Sequence, residues 1–333
     1  MSSEATNEVI LSEVDLPTSR RIYLNPNRSD RAFRGAVRGA GLLTFVILAL
    51  IGTFLLLKAL PAFQQAGFSF FTQKVWPSTF TSQSQFGILA LLFGTVEIAV
   101  IALVLAVPVS IATALFIAEY APPAVRRPLT SLVDLLAAVP SLIYGLWGFF
   151  FLQPRMIGLS SWLNHHLGWI PIFKVDQQNF TSSPFIAGTV VAIMVVPIAT
   201  SVMREVFSQA PPAEKEGALA LGGTRWGMIK AVVLPFGRGG MVGGSMLGLG
   251  RALGETIAVA IIISPTFGIS WHILQSGANT IAAHIALKFG ESGGLALSAL
   301  MAAGLVLFVF TLLVNMAASL IVSRSRSGRG VEI

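Results

Sequence analysis

The sequence predicts an all-α integral membrane protein with six transmembrane helices, and three observations support this. Of 333 residues, 54% are hydrophobic and only 11% charged, with a mean hydropathy of +0.77, which leaves too little polar surface to cover a soluble globule. The apolar residues fall in long unbroken runs, and a helix needs about 18 or more of them to cross a hydrocarbon core roughly 30 Å thick. The runs show no strict alternation, which removes the closed β-barrel, the other structure that satisfies its backbone groups in lipid.

The chain opens on a polar tail, residues 1–38. Its acidic part carries Glu4, Glu8, Glu13 and Asp15, and its basic part Arg20, Arg21, Arg28, Arg31, Arg34 and Arg38. No apolar stretch lies near the start, so this does not read as a cleavable signal peptide. The basic half is suited to anionic headgroups just before the first span. Residues 39–323 form the membrane domain, with spans expected over 39–57, 86–118, 129–152, 184–203, 239–264 and 295–323. A short C-terminal tail, 324–333, follows.

The net charge of +7 does not indicate a nucleic-acid binder, because the basic residues sit at helix ends and form no stripe. Counted on alternate loops, sixteen Lys and Arg residues fall on the side that holds both tails and five on the other, namely Lys58, Lys74, Arg155, Lys174 and Lys288. The positive-inside rule then expects both termini in the cytoplasm. Arg251 is left over, inside the fifth span. Pro108, Pro140 and Pro197 fall in three consecutive spans, each removing an N–H and bending its helix.

There is no Cys, so disulfides and thiolate metal sites are excluded. His165 and His166 lie in a polar loop. His272 and His284 are far apart, with no zinc-ligand spacing, and read as surface or interfacial histidines. No metal site is expected. Nor does a nucleophile–base pair or paired catalytic carboxylates appear, so no catalytic residue is assigned. Trp162, Trp169 and Trp271 stand at outer span ends, as interface aromatics do. Asp134 is expected at the inner end of the third span, near Arg126 and Arg127.

Between the fourth and fifth spans, residues 208–235 encode two short helices. Pro211 and Pro212 suit a first turn, Glu214 and Glu216 favour its positive end, and Gly222-Gly223 provides a stop. Thr224 can cap a second helix that ends before Pro235. The segment resembles the loop of ABC-importer permeases, whose pattern is Glu-Ala-Ala, three residues, Gly, nine residues, then Ile-x-Leu-Pro. Here it stands as Glu216-Gly217-Ala218, Gly222, and Val232-Val233-Leu234-Pro235. Every spacing fits, with Gly for the first Ala and Val for Ile. The resemblance implies that this loop couples to a separate ATPase, with Glu216 as a polar anchor and small residues at 217, 218 and 220 allowing close seating. The chain has no Gly-Lys dipeptide and therefore no Walker-type phosphate loop, so ATP and Mg would belong to the partner subunit and no cofactor to this chain.

Three further segments narrow the resemblance to PstC-type phosphate permeases. They are Leu247 through Val259 (Leu-Gly-Leu-Gly-Arg-Ala-Leu-Gly-Glu-Thr-Ile-Ala-Val), Leu135 through Gly148 (Leu-Leu-Ala-Ala-Val-Pro-Ser-Leu-Ile-Tyr-Gly-Leu-Trp-Gly), and Asp30 through Arg34 (Asp-Arg-Ala-Phe-Arg). The resemblance covers residues 28–325 and implies the six-helix fold of type I importer permeases of the MetI-like class. It also implies four partners: a PstA-type second permease, a PstB-type ATPase dimer, an extracytoplasmic PstS-type phosphate-binding protein, and lipid. Nucleic acid is not among them.

Charge within the spans points to a site independently. An Arg or carboxylate at mid-bilayer costs about 2.5–3.5 kcal/mol, so Arg251 and Glu255 need partners or water. At i and i+4 they share a helix face. Arg251 lies twelve residues past Gly239, about 18 Å along the axis, and Glu97 reaches a similar depth from the opposite end of span two. Two readings stand for Arg251, Glu255 and Glu97. A guanidinium facing the path suits phosphate oxygens, or the three form an ion pair that locks helices together. Two carboxylates beside one Arg favour a gate or latch over a deep binding pocket. Gly239, Gly240, Gly243, Gly244, Gly248, Gly250 and Gly254 read as close helix packing rather than a dinucleotide loop, since no strand precedes them. The competing readings are an ABC permease for molybdate, sulfate or phosphonate, and a secondary transporter. The lack of a visible repeat between 39–152 and 184–323 counts against the second.

Overall fold

The computed structural model describes residues 28–324 except 78 and 82, with side chains described as far as 320. The acidic and basic segment over residues 1–27, and Arg326 and Arg329 of the C-terminal tail, lie outside the described residues.

The chain divides into two compact units, residues 1–51 and 52–333. The described part of the first belongs to helix α1 (Arg28–Ala66). Its basic residues Arg28, Arg31, Arg34 and Arg38 precede an apolar run in which Leu42, Phe45 and Leu50 are exposed, as side chains that face lipid must be.

The second unit holds the rest of α1 and α2 (Ser69–Thr72). Helix α3 (Leu89–Leu115) runs into a π-turn over Phe116–Tyr120. Next come α4 (Pro123–Ala137), α5 (Ser141–Trp147) with a π-turn over Gly148–Leu152, and α6 (Gln153–Leu167). Helix α7 (Pro184–Ser208) follows, then α8 (Pro212–Ala220), α9 (Arg225–Met228) and α10 (Leu234–Phe236). Last are α11 (Arg238–Leu253), α12 (Ile257–Ile262), α13 (Ile281–Lys288) and α14 (Gly294–Arg324). The protein is all-α.

Among the described residues four helices are long and apolar enough to cross a membrane, covering Arg28–Ala66, Leu89–Tyr120, Pro184–Ser208 and Gly294–Leu320. They correspond to the expected first, second, fourth and sixth spans. The other two expected spans are not single helices. The third breaks at Pro140, where the chain turns by 90° between α4 and the α5–α6 run. Proline drives the residue before it out of the helical region, so α4 ends at Ala137 and Pro140 starts α5. The fifth breaks at 254–256, into α11 and α12. Pro108 and Pro197 stay inside α3 and α7, and the Ser110 hydroxyl donates to Val196 O at 3.3 Å, tying the two helices next to their prolines.

Helices α3, α7 and α11 form the centre of the larger core, around Ile98, Ala102, Val190, Val195, Met203 and Leu253. Of the glycines expected to serve packing, Gly240, Gly244 and Gly248 do so, whereas Gly243 faces open space. A Cβ at Gly240 would lie 2.5 Å from Val206 Cβ, and one at Gly248 would lie 2.6 Å from Val195 Cγ1. A second core joins α1, α2, α3, α13 and α14 through Ala59, Phe70, Leu91, Ile281 and Ala299.

The histidines differ from expectation. His165 and His166 lie in the last turn of α6 and not in a loop. His284 is buried, its ring edge-on to Trp76 and Phe267, and its Nδ1 is 3.2 Å from Asn279 Nδ2. Outside the spans, burial pushes its pKa down to about 4, and the Lys288 charge adds to the shift. A single buried histidine against aromatics gives no periodic signal in sequence. His272 lies 3.5 Å from Asp176. Trp162, Trp169 and Trp271 are exposed, as interface aromatics are.

Gly94 supplies a stability test. Its missing Cβ would collide with the backbone carbonyl of Asn279 in the segment leading to α13, and a backbone carbonyl cannot rotate away. Gly94→Ala should therefore destabilise the protein by about 1–3 kcal/mol, as overpacking does. Gly158→Ala, inside α6 with nothing within 4 Å, should be neutral or stabilising. Thermal unfolding in detergent compares the two, and equal midpoints would contradict the packing described.

Candidate functional site

The loop between α7 and α11 folds as its residues dictate. Pro211 and Pro212 start α8, with Glu214 in the first turn. Gly222 takes φ +84, a left-handed conformation open to glycine, and Gly223 N–H donates back to Ala218 O at 3.2 Å. Thr224 Oγ1 accepts from Gly227 N–H at 3.1 Å and caps α9. The second helix does not stop before Pro235. A π-turn over Ile229–Val233 continues it through α10 to Phe236. The wider turn shifts the hydrogen-bond register, which accommodates a proline with no N–H.

None of the residues of α8 is buried. Glu216, Gly217 and Gly222 are exposed, whereas Ala218 packs against the large core. The small residue at 218 thus seats α8 on its own bundle, and 217 and 220 remain on the open side. Leu234 is half-buried against that core and Pro235 is exposed. Motif spacing does not single out Leu219, Leu221 and Trp226, which are 42%, 91% and 58% exposed. Three large apolar side chains in a loop otherwise rich in charge and glycine were the available signal.

Two of the other candidate residues, Arg251 and Glu255, lie where the expected fifth span breaks. Arg251 stands in the last turn of α11, where its charge complements the helix C-terminus. It lines a cavity of about 630 Å³ shared with Gly250, Leu247, Phe308, Thr311 and Asn315, the last three on α14. Glu255 lies beyond the helix end and is buried, and its Oε1 accepts from Ala258 N–H at 3.4 Å at the start of α12.

Arg251 and Glu255 therefore do not share a helix face, because α11 ends at Leu253 and the i, i+4 relation fails. Glu97 of α3 is half-buried, with Oε1 making no hydrogen bond. Among the described residues no carboxylate stands within ion-pair distance of Arg251, and its Nε has no hydrogen-bond partner. The expected Arg–carboxylate lock is not formed. The break itself accommodates the charges, one at the end of each half-helix, an outcome that residue spacing alone could not show. Asp134 differs too. It accepts from Ser201 Oγ of α7 at 2.8 Å, while Arg126 turns to Ala118 O at 3.0 Å.

A family model described as binding-protein-dependent transport system inner membrane component matches residues 106–327. The chain belongs to that family. Within this permease family it is 40% identical to the phosphate transport system permease protein PstC 2 of Mycobacterium tuberculosis, over 98% of this chain and 100% of that one. It is 39% identical to the PstC of Haemophilus influenzae, over 94% and 99%. Among solved structures, a bacterial ABC transporter involved in import of the acidic polysaccharide alginate aligns with 90% of this chain and 99% of its own, at TM-score 0.56 and 20% identity. An inward-facing MetNI methionine ABC transporter aligns with 73% and 98%, at TM-score 0.51 and 14% identity. These two likenesses place the fold among the ABC permeases. The α8 loop and the break at 254–256 both fall within the part that matches the permease family.

Proposed function

We propose that this permease imports phosphate as one half of the membrane pathway of an ATP-driven transporter. The near-full-length likeness to phosphate permeases, 40% identical over 98% of the chain, carries this reading. The loop supports its second part. The loop built on α8 offers Glu216, Gly217 and Gly222 on an exposed side, with Leu219, Leu221 and Trp226 as apolar contacts for a separate ATPase subunit. ATP and Mg belong to that subunit. A second permease completes the pathway, and an extracytoplasmic binding protein delivers phosphate. Both termini face the cytoplasm, on the strength of the Lys and Arg asymmetry.

Arg251 controls passage. Its guanidinium faces a cavity with the hydroxyl of Thr311 and the amide of Asn315, groups that suit the oxygens of phosphate. With neither carboxylate at ion-pair distance, the cation is free to meet the anion in transit. Glu255 holds the shape of the break by capping α12, and Glu97 stands apart on α3.

Affinity purification of the tagged chain from its own cells tests the half-pathway reading. The expected complex contains one copy of this chain, a second permease and two ATPase subunits. An active complex with two copies of this chain and no other permease would contradict it.

A further inference from the structure

Besides the packing of Ala218, helix α8 is tied to its own bundle by one short charge pair. Lys215 Nζ lies 2.6 Å from Glu119 Oε1, and the two side chains are only 19% and 9% exposed. Glu119 belongs to the π-turn over Phe116–Tyr120 that ends α3, ninety-six positions away in sequence. The same turn receives Arg126 of α4 on Ala118 O, and the Arg225 guanidinium of α9 lies 6.0 Å from the Tyr120 ring. Three separate elements thus converge on five residues whose i→i+5 turn is looser than an α-helix.

We infer that Glu119 and Lys215 form a strut that transmits displacement of α8 to α3, so that ATP-driven movement of the loop reaches the transmembrane bundle through the π-turn. The inference rests on α8 being the surface that meets the ATPase. Two features support it. A largely desolvated ion pair holds its geometry better than an exposed one, because salt screens it little. It is also the one ion pair among the described residues that joins α8 to a spanning helix. The π-turn gives α3 a place to yield without breaking the helix above it. Both residues act through others and are positioning residues.

The assembled complex in proteoliposomes, with inorganic phosphate as substrate, tests the strut. Glu119→Gln and Lys215→Gln should retain ATP hydrolysis while phosphate imported per ATP falls roughly five-fold or more, the scale of a coupling between sites. The exchanged pair Glu119→Lys, Lys215→Glu should restore the ratio. A wild-type ratio in both single variants, or no recovery in an exchanged pair that assembles, overturns the inference. Should the single variants fail to assemble, the cysteine-free chain permits a second test. Glu119→Cys, Lys215→Cys bridged by a short bifunctional thiol reagent should couple better than the same protein unbridged, and equal ratios overturn the strut. A photocrosslinker at exposed Leu221 separates the two readings. Failure to reach the ATPase removes the α8 docking reading and the strut with it, whereas crosslinking with an unchanged ratio removes the strut alone.

Discussion

Arg251→Gln should abolish phosphate uptake and leave the complex assembled. In the structure the guanidinium has no carboxylate partner, so its loss strands no buried charge, and Glu255 keeps its bond to Ala258 N–H. The variant removes the cation from the cavity it shares with Thr311 and Asn315, and the stabilisation it gave a passing anion. Removing one aimed donor from a low-dielectric site costs about 10²–10³ in rate, and uptake in proteoliposomes should fall on that scale. Docking of the phosphate-loaded binding protein should survive, since capture takes place before this point. Adding Glu97→Gln should leave transport unrescued, because the two residues are not paired. Rescue by the double variant would show that an Arg251–Glu97 pair forms in another state of the cycle.

Gly222→Val should uncouple ATP hydrolysis from uptake. A non-glycine residue in the left-handed region costs roughly 1–2 kcal/mol, and a β-branched one is the worst case. At φ +84 the substitution unwinds the turn that ends α8 and moves Glu216 and Leu221 off the docking surface. Gly222→Asn, which tolerates the left-handed region, should retain most of the coupling. A Glu216→Trp variant should act similarly by steric block on the exposed side. ATPase stimulation and uptake, measured together, check all three. Unchanged coupling in Gly222→Val and Glu216→Trp would remove the loop from the mechanism.

Much of this was legible in the residues. Pro211, Gly222 and Thr224 each dictate a local geometry, and α8, its stop and the cap of α9 appear where those residues require. Of the six spans that the long apolar runs marked, four are single helices long and apolar enough to cross a membrane, since length and composition alone decide them. The two broken spans were less legible. Pro140 announced a bend but not a 90° turn, because the angle is set by what α4 and α5 pack against. At the fifth span, periodicity carried Arg251 and Glu255 onto one face, yet Gly254 ends α11 between them. A carboxylate that caps the next half-helix looks in sequence like one that pairs with an arginine. The Lys215–Glu119 contact spans ninety-six positions, and nothing in local spacing points to it.

Radiolabelled phosphate uptake by the purified complex in proteoliposomes, with binding protein outside and ATP inside, tests the central claim most directly. Uptake should require ATP, and unlabelled phosphate should compete with it while sulfate and molybdate in equal excess do not. ATP-dependent accumulation of sulfate or molybdate in place of phosphate would contradict the account.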